Sequence, residues 1–312
     1  MSEASATTEE AAAEAPATTR SVGMWKDAFH QMRRRPDAIL SAVWIVIVLL
    51  MAAVPQLFTS KDYLDCHARD SKIEPQWFSG EHLLGTNVQG CDYYAMTIAG
   101  ARPSMVLALC VIIATLMIAV VLGSLSGYYG GWFDTIISRA VEVFYSMPFF
   151  LGALMMLTLF RDVSLGSGQL LAIIPAAIAL TIFGWMGDTR MIRASVMQAK
   201  NFDYVQAARS LGASDRRLMF RHILPNAIAP VMSGLPLAVS AYVTTEAALS
   251  ALGLGVRPPA TSWGRMIAEG APWVNGGLPH LLLAPGIALL LTIFSFALLG
   301  DALRDALDPK LR

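Results

Sequence analysis

The chain has 312 residues, of which 55% are hydrophobic and only 15% charged, and its formal net charge is zero. A soluble domain carries about 25% charged residues, so this composition describes an integral membrane protein, and its neutral balance offers no basic surface for nucleic acid. None of the lysines follows a glycine, which excludes a GxxxxGK[ST] phosphate loop, so the chain does not bind ATP through that element.

Residues 1–22 are rich in Ala, Glu and Thr and lack the basic, apolar, small-residue order of a signal peptide. They read as a disordered cytoplasmic tail. Residues 23–37 are expected to hold an interfacial helix. In "MWKDAFHQMRRR" (24–35), Met24, Ala28 and Met32, with Trp25 and Phe29, keep helical spacing, and the basic residues suit lipid headgroups.

Six apolar segments approach the roughly 20 residues that cross a bilayer. They are 38–58, 104–128, 135–160, 169–187, 227–252 and 281–303. Residues 59–102 between the first two form a long loop, and 103–312 carry the other five spans. The third span has Arg139 and Glu142 in its first turns, spaced i, i+3 to pair near the interface. Lys26 and Arg33 to Arg35 precede the first span. Arg190, Arg193, Lys200, Arg209, Arg216, Arg217 and Arg221 lie between the fourth and fifth, and Arg304, Lys310 and Arg312 follow the sixth. The alternate loops are poorer in Lys and Arg, with Lys61, Arg69, Lys72 and Arg102 spread over a long one, Arg161 in the next, and Arg257 and Arg265 in the last. This positive-inside bias predicts that both termini and the 203–222 loop are cytoplasmic.

Several residues stand out against this plan. Cys66 and Cys91 share the 59–102 loop, outside the reducing cytoplasm, where a disulfide between them is allowed and two free thiols are the alternative. His67 and His82 nearby lack the dense ligand spacing of a metal site. Cys110 in the second span reads as packing. Glu246, near the middle of the fifth span, is a candidate for the translocation path, and it equally suits a buried structural partner. Asp188, Arg190 and Arg193, at the inner end of the fourth span, are expected to make interfacial pairs. Trp263 and Trp273 sit in the Pro- and Gly-rich runs "GLGVRPPATSWG" and "GAPWVNGGLP", as outer-interface anchors or as part of a docking surface.

The stretch "DYVQAARSLGASDRRLMFRHILPN" (203–226) concentrates charge in an otherwise apolar chain. Asp203 and Gln206 have capping-box spacing. Tyr204, Ala207, Ala208 and Leu211 then share a helical face, and Gly212 is a natural stop. Ser214 is placed to cap a second helix with Leu218, Met219 and His222 on one side and Arg217 and Arg221 on another. Pro225 and Pro230 mark the entry to the fifth span. Two short helices joined at a glycine, thin on one face and flanked by arginines, suit docking to a soluble partner better than a loop that only fixes topology.

Gln206-Ala207-Ala208, then Gly212, then Leu224-Pro225 resembles the EAA signature of ABC-importer permeases, with Gln206 where a glutamate is usual. "HILPN" is the form of the peptide and nickel branch. "HLLGTNVQGCDYY" (82–94), "GYYGGWFD" (127–134), "EAALSALGLGVRPPATSWG" (246–264) and "GDALRDALDP" (300–309) are similar to that branch's segments, in the same order. Cys91 stands where the branch usually has arginine and Asn87 where it has aspartate, which makes a Cys66–Cys91 bond more attractive.

The resemblance implies an all-α membrane protein of the ABC importer type I permease kind, with six transmembrane helices, an N-terminal interfacial helix and cytoplasmic coupling helices. It implies a transport subunit and no enzyme, translocating di- or oligopeptides across the cytoplasmic membrane; nickel or another small solute is the alternative cargo. Implied partners are a homologous second permease, two ATPase subunits or domains that bind the ATP and Mg, and an extracytoplasmic substrate-binding protein. No cofactor is implied for this chain itself. Tyr204, Gln206, Ala207, Ala208, Leu211 and Gly212 would bear the ATPase contact, flanked by Arg216, Arg217 and Arg221. A gradient-driven secondary transporter would carry several in-membrane ionisable groups and an internal repeat; here Glu246 is the one clear mid-span acid and no repeat is evident. A membrane scaffold leaves the capped, glycine-jointed loop unexplained.

Overall fold

The computed structural model describes residues 29–76, 81–160, 168 and 171–307. Residues 1–28, which include the expected tail and the first six residues of the expected interfacial helix, lie outside the described residues, as do Arg161, Lys310 and Arg312; Phe29 to Met32 are helical. Among the described residues the chain is helical, with only two isolated β-bridges.

Four helices are long and apolar enough to cross a membrane, or up to six if each of two bent pairs counts as one span. In chain order the helices are α1 (Pro36–Ala53), α2 (Tyr93–Tyr129), α3 (Gly131–Tyr145), α4 (Phe149–Leu159), α5 (Ile174–Ala199) and α6 (Asp203–Ser210). Then come α7 (Asp215–Ala227), α8 (Ala229–Ala251), α9 (Trp263–Gly270) and α10 (His280–Leu307). Large apolar side chains such as Leu40, Ile113, Val121, Leu151 and Phe294 lie exposed on the outside, as a lipid-facing or partner-facing surface requires.

The helices depart from the hydropathy boundaries for identifiable reasons. The second was expected from Ser104, but α2 begins at Tyr93, because the Asp92 carboxylate accepts from the Ala95 amide at 3.0 Å as an N-cap. Arg102, expected in a loop, sits inside that helix. Its guanidinium donates to the carbonyls of Ala52 at 2.7 Å and Ala53 at 3.0 Å, satisfying the orphan acceptors at the end of α1. The third expected span is two helices, α3 and α4, bent by 83° at the break. Pro148 has no amide hydrogen and disfavours a helical Met147. The fourth was expected to stop at Gly187, yet α5 continues to Ala199, because Ile192, Val196 and Ala199 are buried on one face while polar residues fill the other.

The long α2 packs most extensively on α5, α10 packs on α8, α1 and α9, and α1 closes against α2. Gly123 and Gly127 set the α2–α5 separation. A Cβ on Gly123 would lie 2.8 Å from the Thr189 carbonyl, and one on Gly127 would lie 2.7 Å from that of Arg193. Small residues at i, i+4 let two helix backbones meet where lipid supplies no hydrophobic drive. The main core joins residues of α1, α2, α5, α8, α9 and α10, and a second cluster joins Ala119, Tyr128, Ile192 and Val196 to Val205, Leu218 and Ile223.

Candidate functional site

The 203–227 segment is a folded platform. Phe202, not Asp203, is the N-cap of α6, and no side chain caps it; Gln206 turns instead to the Lys200 carbonyl at 3.1 Å, so the expected capping box does not form. Ser214 is the N-cap of α7, but its side chain makes no cap bond. The exit from α6 is better defined. Ala213 N–H donates to the Ala208 carbonyl at 3.1 Å and Gly212 N–H to that of Arg209 at 2.9 Å, with Gly212 at φ +81°. That pair of bonds around a left-handed residue is a Schellman motif.

Beneath it, Val205, Leu218 and Ile223 are completely buried against the ends of α2 and α5. Polar bonds fix the edges. The Tyr128 hydroxyl donates to Asp215 at 2.5 Å, Asn226 donates to the Tyr204 hydroxyl at 2.8 Å, and Lys200 donates to the Gly127 carbonyl at 3.1 Å. Above it, Leu211 is 89% exposed. Tyr204, Gln206, Ala207, Gly212, Arg216, Arg217 and Arg221 are exposed as well, whereas Ala208 is half-buried beside the underlying cluster. The three arginines form no ion pair with another described residue. An anchored base and an apolar, cationic top are what a soluble acidic partner would meet.

The π-helical stretch Leu218–Ile223 leads through α7 into α8 with a 48° bend. Asp134, which sequence reasoning passed over, is the second tie in this region. Arg193 grips it with two bonds, Nε to Oδ1 at 2.6 Å and Nη2 to Oδ2 at 2.7 Å, and Ser126 and Ser138 donate to the same carboxylate. This fork–fork pair fixes the start of α3 to α5. Arg139 and Glu142 pair at 2.7 Å. Arg190 lies 4.5 Å over the Tyr145 ring. Of the expected trio, therefore, Arg193 makes the ion pair, while Asp188 makes none with another described residue.

Glu246 is completely buried. Ser250 and Ser262 each donate to its Oε1 at 2.7 Å, and Ser104 donates to Oε2 at 3.0 Å. The carboxylate thus joins α2, α8 and the start of α9 and faces no open cavity. Ser250 is one helical turn away and visible in the sequence; Ser104 and Ser262 reach it only through the fold. Trp263 follows the same logic. The expectation of an interfacial indole is corrected: its side chain is fully buried, and Nε1 donates to the Thr97 carbonyl at 2.9 Å. Cys110, expected in packing, is exposed on α2. Trp273 meets Lys72 of the 54–92 segment, with the ammonium 4.3 Å from the ring centre.

The 54–92 segment is cross-linked by Cys66–Cys91, with an S–S distance of 2.03 Å. Beside it, Asp92 holds Lys61 at 2.9 Å and His82 at 3.0 Å. Burial pushes its carboxyl up, but the Ala95 amide, Lys61 and His82 outweigh that and hold it below the usual carboxylate range. Opening the disulfide by Cys91→Ser should remove about 3–4 kcal/mol of loop-closure stabilisation on the chain-entropy account. Limited proteolysis of the membrane-inserted protein should then cut between residues 59 and 92 at protease levels the parent resists; equal resistance would show that the loop holds without the bond.

Residues 119–312 match the family described as binding-protein-dependent transport system inner membrane component. The chain is 37% identical over 293 residues to the oligopeptide transport system permease protein OppC of Bacillus subtilis (strain 168), covering 94% of this chain and 92% of that relative. It is 32% identical over 292 residues to the dipeptide transport system permease protein DppC of the same organism, covering 94% and 88%. It is also 32% identical over 288 residues to the glutathione transport system permease protein GsiD of Pectobacterium atrosepticum, covering 92% of each. Among solved structures, a chain of the inward-facing MetNI methionine ABC transporter superposes with a TM-score of 0.52 at 17% identity, covering 68% of this chain and 96% of that one; this likeness concerns the fold alone.

Proposed function

The chain belongs to the inner-membrane components of binding-protein-dependent transport systems, and we propose that it is the second-type permease of an ATP-driven importer for di- or oligopeptides. The observation that carries this reading is the 203–227 platform, anchored by Val205, Leu218 and Ile223 and presenting outward Leu211 and three arginines that have no ion pair among the described residues. A chain without a phosphate loop needs such a surface if the ATP is bound by a neighbour. The positive-inside distribution supports a cytoplasmic side for this surface and for both termini. The disulfide-linked 54–92 loop is then outside, where an oxidised bond persists.

In this reading two ATPase subunits or domains bind below, a homologous permease completes the pathway, and an external binding protein delivers cargo. ATP and Mg are held by the ATPases, whose closure acts on the α6–α7 platform. Because that platform is continuous with α5 through Lys200 and with α8 through α7, a push on it reaches the spans as a rigid-body tilt. Peptide cargo follows from the relatives named for oligopeptide, dipeptide and glutathione transport. Purification under mild detergent should bring down ATPase subunits whose vanadate-sensitive hydrolysis rises with peptide-loaded binding protein. A chain that purifies alone and moves solute on a proton gradient would refute the proposal, and uptake of nickel in place of peptide would replace the cargo.

A further inference from the structure

A cleft of about 530 Å³ opens between α5 and α8 beside the break that separates α3 from α4. Its wall includes Asp188, Tyr242, Thr245, Phe183, Phe149 and Met147. Asp188 lies in the C-terminal half of the candidate span Leu171–Ala199, about 16 Å from its end at 1.5 Å per residue and two residues before Arg190. Its carboxylate has no hydrogen bond or ion pair with another described residue. Of the neighbouring cations, Arg190 lies over the ring of Tyr145, which is also in the cleft wall, and Arg193 is held in its fork with Asp134. Glu246, on the helix that forms the opposite wall, is sealed among serines.

A carboxylate that has no ion pair among the described residues and opens into a cleft between membrane helices is a candidate for a substrate pathway. The surroundings select the kind of cation. Phe149, Phe183 and Tyr242 contribute aromatic rings and Met147 a polarisable thioether, a lining that suits an organic ammonium. With no second carboxylate, imidazole or thiolate among its described lining residues, the cleft is a poor cage for a bare metal ion.

We infer that Asp188 is a cargo-contact residue: its carboxylate, set in the α5–α8 cleft, receives the α-ammonium group of a peptide during passage. This rests on the peptide-importer reading and adds the recognition group to it. The role that the sequence offered to Glu246 falls to Asp188, because Asp188 lines the cleft whereas Glu246 is completely buried.

The test uses the complete transporter in proteoliposomes, with external binding protein loaded with labelled dialanine. Asp188→Asn should assemble normally and keep its ATP hydrolysis without peptide, yet import dialanine about tenfold more slowly, the loss expected for one charge-assisted bond. Asp188→Glu should recover most of that rate. Thr245→Lys, which places an ammonium in the same cleft, should depress import similarly. Parental import by Asp188→Asn and Thr245→Lys would overturn the inference while leaving the peptide reading intact. Failure of Asp188→Asn to assemble would also overturn it, by assigning the carboxylate to the contact between subunits. If the parent itself imports no dialanine, the peptide reading fails and the inference with it.

Discussion

Gly212→Pro should abolish coupled uptake, leaving at most about a tenth of parental transport, while the protein still inserts and the assembled complex still hydrolyses ATP. Gly212 has φ +81° and its amide donates to the Arg209 carbonyl at 2.9 Å. Proline fixes φ near −65° and has no amide hydrogen, so the Schellman exit cannot form and the arm from Leu211 to Asp215 must take another course. Gly212→Ala is the control for sterics. A Cβ there meets nothing within 4 Å, so only the left-handed conformation is penalised, at about 1–2 kcal/mol, and transport should fall modestly. Leu211→Asp separates contact from folding. Its side chain is 89% exposed, so the change leaves the platform intact and alters only what a partner meets. It should uncouple hydrolysis from uptake nearly as strongly as proline at 212. Parental uptake by Leu211→Asp would remove the platform from the coupling interface.

Glu246→Ala should be the most destabilising single change in the spans. It leaves the hydroxyls of Ser104, Ser250 and Ser262 without their acceptor in a fully buried site. Each buried orphan costs about 1–3 kcal/mol, the terms overlap because the groups form one network, and a total of about 3–5 kcal/mol fits the loss of one member of a buried polar cluster. Melting of the purified complex in detergent should shift down by several degrees. Glu246→Gln should shift less, because its amide keeps one carbonyl acceptor for the serines and can rotate to use it. An Ala variant that melts with the parent would show that the serines find other partners.

The contrast between the two acids shows where sequence reading stops. Glu246 and Asp188 are both carboxylates in apolar helices, and although the sequence sets Glu246 mid-span and Asp188 just before Arg190, it does not say which of them meets a cavity. Ser104 lies 142 residues from Glu246 and Ser262 lies 16 residues away, so the closure of the Glu246 site depends on the packing of α2 and α9 against α8. Trp263 shows the same limit. In a loop between spans an indole suggests the interface, yet α9 folds inward and buries it completely. Asp134 left no signal either, because its partner Arg193 is 59 residues away on another helix.

What was readable from residues alone depended on local physics. Apolar runs long enough for a bilayer located the spans, because no polar backbone group is left unpaired in a membrane helix. Lys and Arg placement argued an orientation, and the glycine after a short amphipathic helix located the platform. The ends of the helices were not readable this way. Arg102 satisfies the α1 terminus, Asp92 caps α2, and Ile192, Val196 and Ala199 extend α5 by burying against α2. Hydropathy averages a charge into its neighbours as if it met water. Whether that charge caps a helix, locks a pair or waits in a cleft is settled by distant side chains, and those come within reach only when the helices pack.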